Sequence, residues 1–526
     1  MAACVRRPRQ WRLPDGLLHR VPGLRGLGVP ARCGTCRQRA VVGLRAGGGG
    51  HTGHQPGRRA GAGMGHVGPY QPRDPGRGRH RTSAGRRLRL GCAQGGTPCA
   101  RWGARQRLVG GARAGGRGSG TGPAGGHVNT LHLLDRPDLG STAWWQDVAA
   151  VGTPLRRGRT DGDVELAFLW RGTACAAVCI DVYSHTPHPV TQRTHLQRVG
   201  TTDVWLWRTA LPADWRGSYF LLPLAPGQQA PDERAAVRRW WIDLMERQAS
   251  ADPLNPLPPH GTGWGVPLSP LLLAEAPVHD AWREAPDTDG VTAQRWRSDR
   301  LDTARDVWRL RTGPDDAAPA LVLLLDGQYW ARQMPIAGAL RRLTAQGVLP
   351  PAVYVLVDAV NPALRGQELP CNEAFWLAVR EELLPQVYPY AIDPRRTVVA
   401  GQSYGGLAAL YAALRWPDCF GCALSQSGSF WWPEPDRSEG DGWLAQQVRA
   451  GLGGTARIRA LLEVGCYETE MTGVNRAMAG ALADAGHAVE YRQVRGGHDW
   501  ICWRDGLLDG LARLLNDTTT QQELEP

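Results

Sequence analysis

Residues 395–414 read "RRTVVAGQSYGGLAALYAAL": a β-branched run, a Gly-x-Ser-x-Gly and an apolar helix-forming stretch. In a chain with 67 glycines such a serine string arises by chance, and alone it decides little. Its flanks decide more. Residues 397–400 predict a buried strand and residues 407–410 a helix, so Ser403 falls on the sharp strand-to-helix turn that lifts a nucleophile to the carboxyl edge of a sheet. The amide of Tyr404 is then a free donor at the positive end of the helix dipole, suited to an oxyanion.

Strands and helices alternate on both sides of this turn. "DVWRLRT" (306–312), "ALVLLLDG" (320–327) and "AVYVLVDA" (352–359) read as strands, as do "FGCALSQSG" (420–428), "IRALLEVG" (458–465) and "VEYRQVRGG" (489–497). "PIAGALRRLTAQG" (335–347), "EAFWLAVREELLPQVY" (373–388), "VNRAMAGALADAG" (474–486) and a last segment from Trp500 to about Leu515 read as helices. Apolar strands buried on both faces and separated by amphipathic helices predict an α/β class, a doubly wound, mostly parallel sheet of the α/β-hydrolase type over 291–516.

A serine hydroxyl needs a base, and in that fold the chain order is serine, acid, histidine. His498 in "VRGGHDW" lies just past the last strand, with two glycines to let the loop bend, and is the expected base. His487, at the other end of that strand, reads as surface decoration. The acid belongs on the loop after "IRALLEVG": Glu468 is the first choice, with Glu470 beyond it, Glu463 inside the strand and Asp499 a loop cap. The second oxyanion donor belongs to "LLLDGQYW", where the Gln328 amide is expected to face the substrate and Asp326 to close an Asx-type turn. The serines of "SQSGSFWW" (425–432) lack a following helix in register and read as pocket wall.

Upstream the texture differs. "DVELAFLWRG" (163–172), "ACAAVCIDVY" (174–183), "TDVWLWRTAL" (202–211) and "GSYFLLPL" (217–224) predict a small β-sandwich over 135–250. The Pro- and Gly-rich stretch 251–290 reads as a linker and 517–526 as a tail. Residues 1–128 hold 24 arginines against Asp15 and Asp74, a charge of +22; since the whole chain carries +12, the remainder carries −10. The basic character therefore argues for no nucleic-acid partner of the whole protein. This end is too poor in apolar surface to fold and is expected to be a disordered extension. A start-site artefact is favoured over a nucleic-acid-binding arm, because the arm lacks interleaved aromatics.

The 12 cysteines show no framework spacing, and Cys33 with Cys36 lacks a second pair, so no metal and no cofactor is expected. Neither a secretory leader nor a membrane-spanning run is visible, so a cytoplasmic monomer without membrane contact is the expectation.

The chain resembles the enterochelin (ferric enterobactin) esterases. The likeness runs from about "STAWWQ" at 141 to the last helix near 515 and includes "GTTDVWLW", "DWRGSYF", "ADPLNP", "LLLDGQYWA", "LPPAVYVLVDA", "ELPCN", "FWLAVREELLP", "TVVAGQSYGG", "FGCALSQSGSFWWP" and "GGHDWICWR". The resemblance implies a β-sandwich ahead of an α/β-hydrolase domain, and a cytoplasmic serine esterase that opens the trilactone of an imported catecholate siderophore to release iron. It carries the nucleophile and base onto Ser403 and His498 and an acidic position onto Glu468. It makes Arg365 and Glu368 a pair, at the pocket edge or purely structural. An anionic ferric catecholate calls for local cations, for which Arg332, Arg365, Arg495 and Arg504 are candidates, and for ring faces, for which Trp330, Trp431 and Trp432 are candidates. Rival readings are a feruloyl- or mycolyl-type esterase or acyltransferase, and a non-catalytic siderophore-binding protein.

Overall fold

Alternation along "VWLWRTALP" (204–212) puts Val204 and Leu206 on one face of a strand and Trp205 and Trp207 on the other, and both faces are covered. The structure, a computed structural model, describes residues 129–516 except 284, 285 and 317. The expectations for 1–128, the Cys33–Cys36 spacing and 517–526 lie outside the described residues.

The first unit is an eight-stranded antiparallel sheet: β1 (Leu155–Gly158), β2 (Asp163–Arg171), β3 (Ala177–Val182), β4 (Thr194–Arg198), β5 (Val204–Pro212), β6 (Arg216–Leu224), β7 (His260–Gly261) and β8 (Pro267–Leu272). Their spatial order is β1-β2-β5-β4-β3-β6-β8-β7. Strand β4 joins two halves whose facing side chains, among them Phe168, Val178, Ile180, Trp215, Tyr219 and Leu271, share one core, which makes the sandwich. Each outer face would be left wet without a cover. Helix Thr142–Val151 covers one with Trp144, Trp145 and Val148, and helix Arg234–Gln248 covers the other with Trp241 and Leu244.

The stretch expected to be a linker is corrected here: it contains β7 and β8, which extend the sandwich sheet past β6. A proline lacks an N–H but keeps its carbonyl, and strands near a sheet edge tolerate it, so Pro267 and Pro270 could sit in a strand that composition alone reads as loop.

The second unit is an eight-stranded sheet of β9 (Val291–Ser298), β10 (Thr303–Thr312), β11 (Ala320–Leu324), β12 (Ala352–Val357), β13 (Thr397–Gln402), β14 (Cys422–Gln426), β15 (Arg459–Gly465) and β16 (Ala488–Val494). The order is β16-β15-β14-β13-β11-β12-β10-β9, with β11 to β16 paired in parallel and β9 and β10 antiparallel. This is the α/β-hydrolase arrangement. Strands β11, β12 and β13 are buried throughout, which is why they read as continuous apolar runs. Strand β9, "VTAQRWRS", escapes such a reading because an edge strand with four successive exposed residues shows no apolar run. Helix Trp500–Asn516 packs on β13, β14 and β15 and also against β6 of the sandwich. Among the described residues no helix is long and apolar enough to cross a membrane.

Candidate active site

Ser403 adopts φ 57 and ψ −119 at the head of helix Tyr404–Arg415, a left-handed strain that L-residues take up only when the surroundings enforce it. The enforcement is steric. A Cβ on Gly401 would lie 2.4 Å from the carbonyl carbon of Gly405, so the strand and the helix can approach this closely only with glycine there. The turn is held further by the Ser403 amide donating to the Gln426 carbonyl at the end of β14, at 2.9 Å. Ser403 Oγ lies 3.2 Å from Ser429 Oγ and makes no hydrogen bond to an imidazole among the described residues.

His498 and Glu468 come from loops after neighbouring parallel strands, β16 and β15, and meet with Nδ1 2.6 Å from Oε2. Glu468 Oε1 accepts from Ser427 Oγ at 2.6 Å and from the Gly465 amide at 2.8 Å, so the carboxylate is fixed on three sides. Its side chain is 1 % exposed against 38 % for the imidazole. Trp503 stands edge-on to the His498 ring with centroids 4.8 Å apart and donates its indole N–H to Ser427 Oγ at 2.9 Å. The backbone amide of His498 donates to Ser184 Oγ, on the turn after β3 of the sandwich, at 2.8 Å. Of the other carboxylates, Glu470 is exposed, and Glu463 is buried in β15 against Arg492. Asp499 points into the domain interface, with Oδ1 accepting from Ser218 Oγ and the Ile501 amide. Burial there pushes its carboxyl up to about 6.

The turn after β11 brings Gln328 into the first helical turn of the following segment, where an amide has no intrahelical acceptor. Gly327 is required by close approach: a Cβ there would sit 2.4 Å from the backbone of Leu356 and Val357. The Gln328 side chain faces inward and accepts from the Ala359 amide at 3.1 Å. Burial pushes the Tyr404 hydroxyl up, against the positive charges of Arg238 and Arg365.

Several sequence expectations are corrected. Arg365 does not pair with Glu368. It holds Asp326, Nε to Oδ1 at 2.6 Å and Nη2 to Oδ2 at 2.7 Å, while Glu368 takes both Nη groups of buried Arg305 at 2.8 and 2.6 Å. Asp326 thereby binds a guanidinium rather than closing an Asx turn. Trp330 is 1 % exposed and packs against Tyr329 and Trp500, so its faces are core surface. Arg332 is paired with Asp306 and lies over Trp308, and Arg495 is paired with Asp214. Arg504 lies against Trp282, 3.5 Å from Asp505. His487 is buried, not a surface residue, and burial lowers its imidazole. Trp431 and Trp432 are both half-buried; Trp431 sits 5.5 Å from the Tyr404 ring beside the nucleophile turn, Trp432 against Trp443.

Trp503 and Ser184 are residues of the site that sequence reasoning missed, whereas Ser427 and Ser429 belong to the stretch it read as pocket wall. The signal for the two serines was that "SQSG" ends the strand beside β13, at the carboxyl edge of the sheet near Ser403. Ser184 comes from the other domain and carried none. Among the described residues no group of three or more His, Cys, Asp or Glu side chains could hold a metal ion.

Comparison with known proteins covers both units. Residues 165–282 match a family described as "Enterochelin esterase, N-terminal" and residues 310–514 one described as "Putative esterase". An iron(III) enterobactin esterase of Dickeya dadantii is 43 % identical over 425 residues, covering 74 % of this chain and 96 % of the relative. That of Escherichia coli K12 is 40 % identical over 394 residues, covering 72 % and 96 %. A crystal structure of the enterobactin esterase from Shigella flexneri, in the presence of enterobactin, superposes with a TM-score of 0.63 at 39 % identity, covering 73 % of this chain and all of that one.

Proposed function

This chain belongs to the iron(III) enterobactin esterases, and from that premise we propose that it hydrolyses the serine trilactone of a ferric catecholate siderophore with Ser403, His498 and Glu468 as its catalytic triad. The observation that carries the residue assignment is the 2.6 Å contact of Glu468 with His498 Nδ1, made at the carboxyl edge of the sheet that presents Ser403 on its strained turn.

Glu468, locked by Ser427 and Gly465, fixes the imidazole with Nδ1 protonated and Nε2 free to act as base. His498 takes the Ser403 proton as Oγ attacks an ester carbonyl of the trilactone. The developing oxyanion is received by the Tyr404 and Gln328 amides, which need no reorganisation. Collapse expels the serine hydroxyl of the neighbouring unit, protonated by His498, and leaves an acyl-Ser403 ester. Water, deprotonated by His498, then hydrolyses this ester and restores the enzyme. Three such cycles convert the ring into monomers, and the iron, part of the substrate, loses its hexadentate site. No cofactor takes part. Arg238 supports attraction of the anionic complex, and Trp431 offers it a ring face. The reaction takes place in the cytoplasm, after import.

The test is product analysis over time with ferric and iron-free trilactone, for the wild type and Ser403→Ala. Loss of all three ester cleavages in the variant is expected; cleavage that persists at the wild-type rate overturns the assignment.

A further inference from the structure

A continuous line of buried polar groups crosses the boundary between the two domains. Tyr329 Oη lies 3.1 Å from His260 Nδ1, His260 Nε2 lies 2.9 Å from Ser218 Oγ, and Ser218 Oγ lies 3.1 Å from Asp499 Oδ1. All three contacts are buried. Each end adjoins a residue of the site: Tyr329 follows Gln328 on the oxyanion turn, and Asp499 follows His498. The two middle members, Ser218 on β6 and His260 on β7, belong to the sandwich.

Proton counting gives the line a direction. Burial lowers the His260 imidazole to about 4, so at neutral pH it is uncharged and carries one N–H. An ionised Asp499 can only accept, so Ser218 spends its single proton on it and must receive from His260 Nε2–H. His260 Nδ1 then presents a lone pair to the Tyr329 hydroxyl. Moving the imidazole proton to Nδ1 would let it bond the Gly261 carbonyl, 3.1 Å away, but would leave the one Ser218 proton facing two acceptors. A parallel apolar tie joins the same ends. Tyr329 stacks on Trp500 at 3.7 Å, and Trp500 meets Trp503, which meets His498.

Buried polar groups are costly unless fully paired, and packed apolar side chains would hold two domains together at least as well. What apolar packing does not supply is a defined distance and angle. We propose that Tyr329, His260, Ser218 and Asp499 form a positioning chain through which the β-sandwich sets the oxyanion turn at Gly327–Gln328 relative to the His498 loop. The proposal rests on the triad reading above and extends it: the sandwich acts on the chemical step, and these four residues touch no reacting atom. Small displacements suffice, since a shift of about 1 Å at a catalytic group costs up to about 10²-fold in rate.

The experiment uses the full chain with Tyr329→Phe, Ser218→Ala and the two combined. Three quantities are read: kcat and KM with ferric trilactone, the rate at which a fluorophosphonate labels Ser403, and the thermal midpoint. Each single variant should lower kcat and the labelling rate by about ten-fold while KM stays within about two-fold. Because the residues act as one unit, the double variant should be no slower than the slower single one. Tyr329→Phe removes one oxygen and keeps the stack on Trp500, so it decides the matter even where Ser218→Ala fails to fold. The proposal is overturned if folded Tyr329→Phe keeps its labelling rate, if KM rather than kcat changes, or if the two losses multiply to about a hundred-fold. Ser403→Ala, run alongside, tests the triad separately: hydrolysis there sinks the nucleophile assignment, whereas an unaltered labelling rate in Tyr329→Phe sinks the positioning chain alone.

Discussion

Arg365 grips Asp326 through two parallel hydrogen bonds of 2.6 and 2.7 Å, and its Nη2 also reaches the carbonyl of Gln402, the residue before Ser403, at 3.2 Å. One guanidinium thus ties the turn after β11 to the serine turn. Asp326 sits at φ 53 and Ser403 at φ 57, so the clamp holds two strained turns side by side.

Because the fork geometry matters and not only the charge, Arg365→Lys should lower kcat by about ten-fold. Arg365→Met, which leaves the 2 %-exposed Asp326 carboxylate uncompensated, should cost about 3 kcal/mol or more of stability. Steady-state kinetics with urea unfolding separates the two effects. A lysine variant with wild-type kcat would show that the clamp is only structural.

Glu468→Gln preserves shape but lets the imidazole take the wrong tautomer. The expected outcome is a kcat lower by about 10³- to 10⁴-fold with little change in KM and an unaltered fold by circular dichroism. If kcat instead falls by less than about ten-fold, His498 works without its acid.

Arg305 and Glu368 are 1 % and 7 % exposed as side chains and pair through both Nη groups, with the guanidinium over Trp296 and Phe375. Glu368→Gln should destabilise by about 3–5 kcal/mol, and the double change Arg305→Met with Glu368→Met should recover most of that loss. Chemical denaturation of the three proteins reads this directly, and a double variant no better than the single one contradicts it.

Burial pushes the Asp181 carboxyl up from its ordinary 3.8 to about 6, against one hydrogen bond from Thr186. Its pKa is higher folded than unfolded, so the folded state binds the extra proton between those values. The stability this brings is full below pH 3.8 and is lost as pH rises through 6. Asp181→Asn does not titrate. Its stability relative to wild type should therefore improve by more than about 1 kcal/mol between pH 5 and pH 8. A difference independent of pH would show that Asp181 is ionised throughout.

Arg238, exposed on the helix that covers the sandwich, acts through its charge on the Tyr404 hydroxyl. Arg238→Glu should raise KM for the ferric anion several-fold, and the increase should shrink as salt screens the field. The neutral reporter p-nitrophenyl acetate, run in parallel, should show no such change.

The amino-acid sequence by itself determined the alternating core of the second domain and the strand-turn-helix setting of Ser403. Both are local: burial on two faces writes a continuous apolar run, and a Cβ-free approach writes glycine at 401. It also put Glu468 and His498 on loops after successive strands. Tertiary structure decided what those loops touch. Arg365 and Glu368 stand three apart on one helix, within reach of one another, yet each found a partner at least 39 residues away, because the sheet brings both Asp326 and Arg305 up to that helix. Tryptophans 330 and 431 are the same residue type, and only packing makes one core and leaves the other half-buried beside Tyr404. The ties from Ser184 to His498 and from Ser218 to Asp499 span 314 and 281 residues. A contact between two domains is recorded in the surface each presents to the other, and no periodicity of either segment carries it.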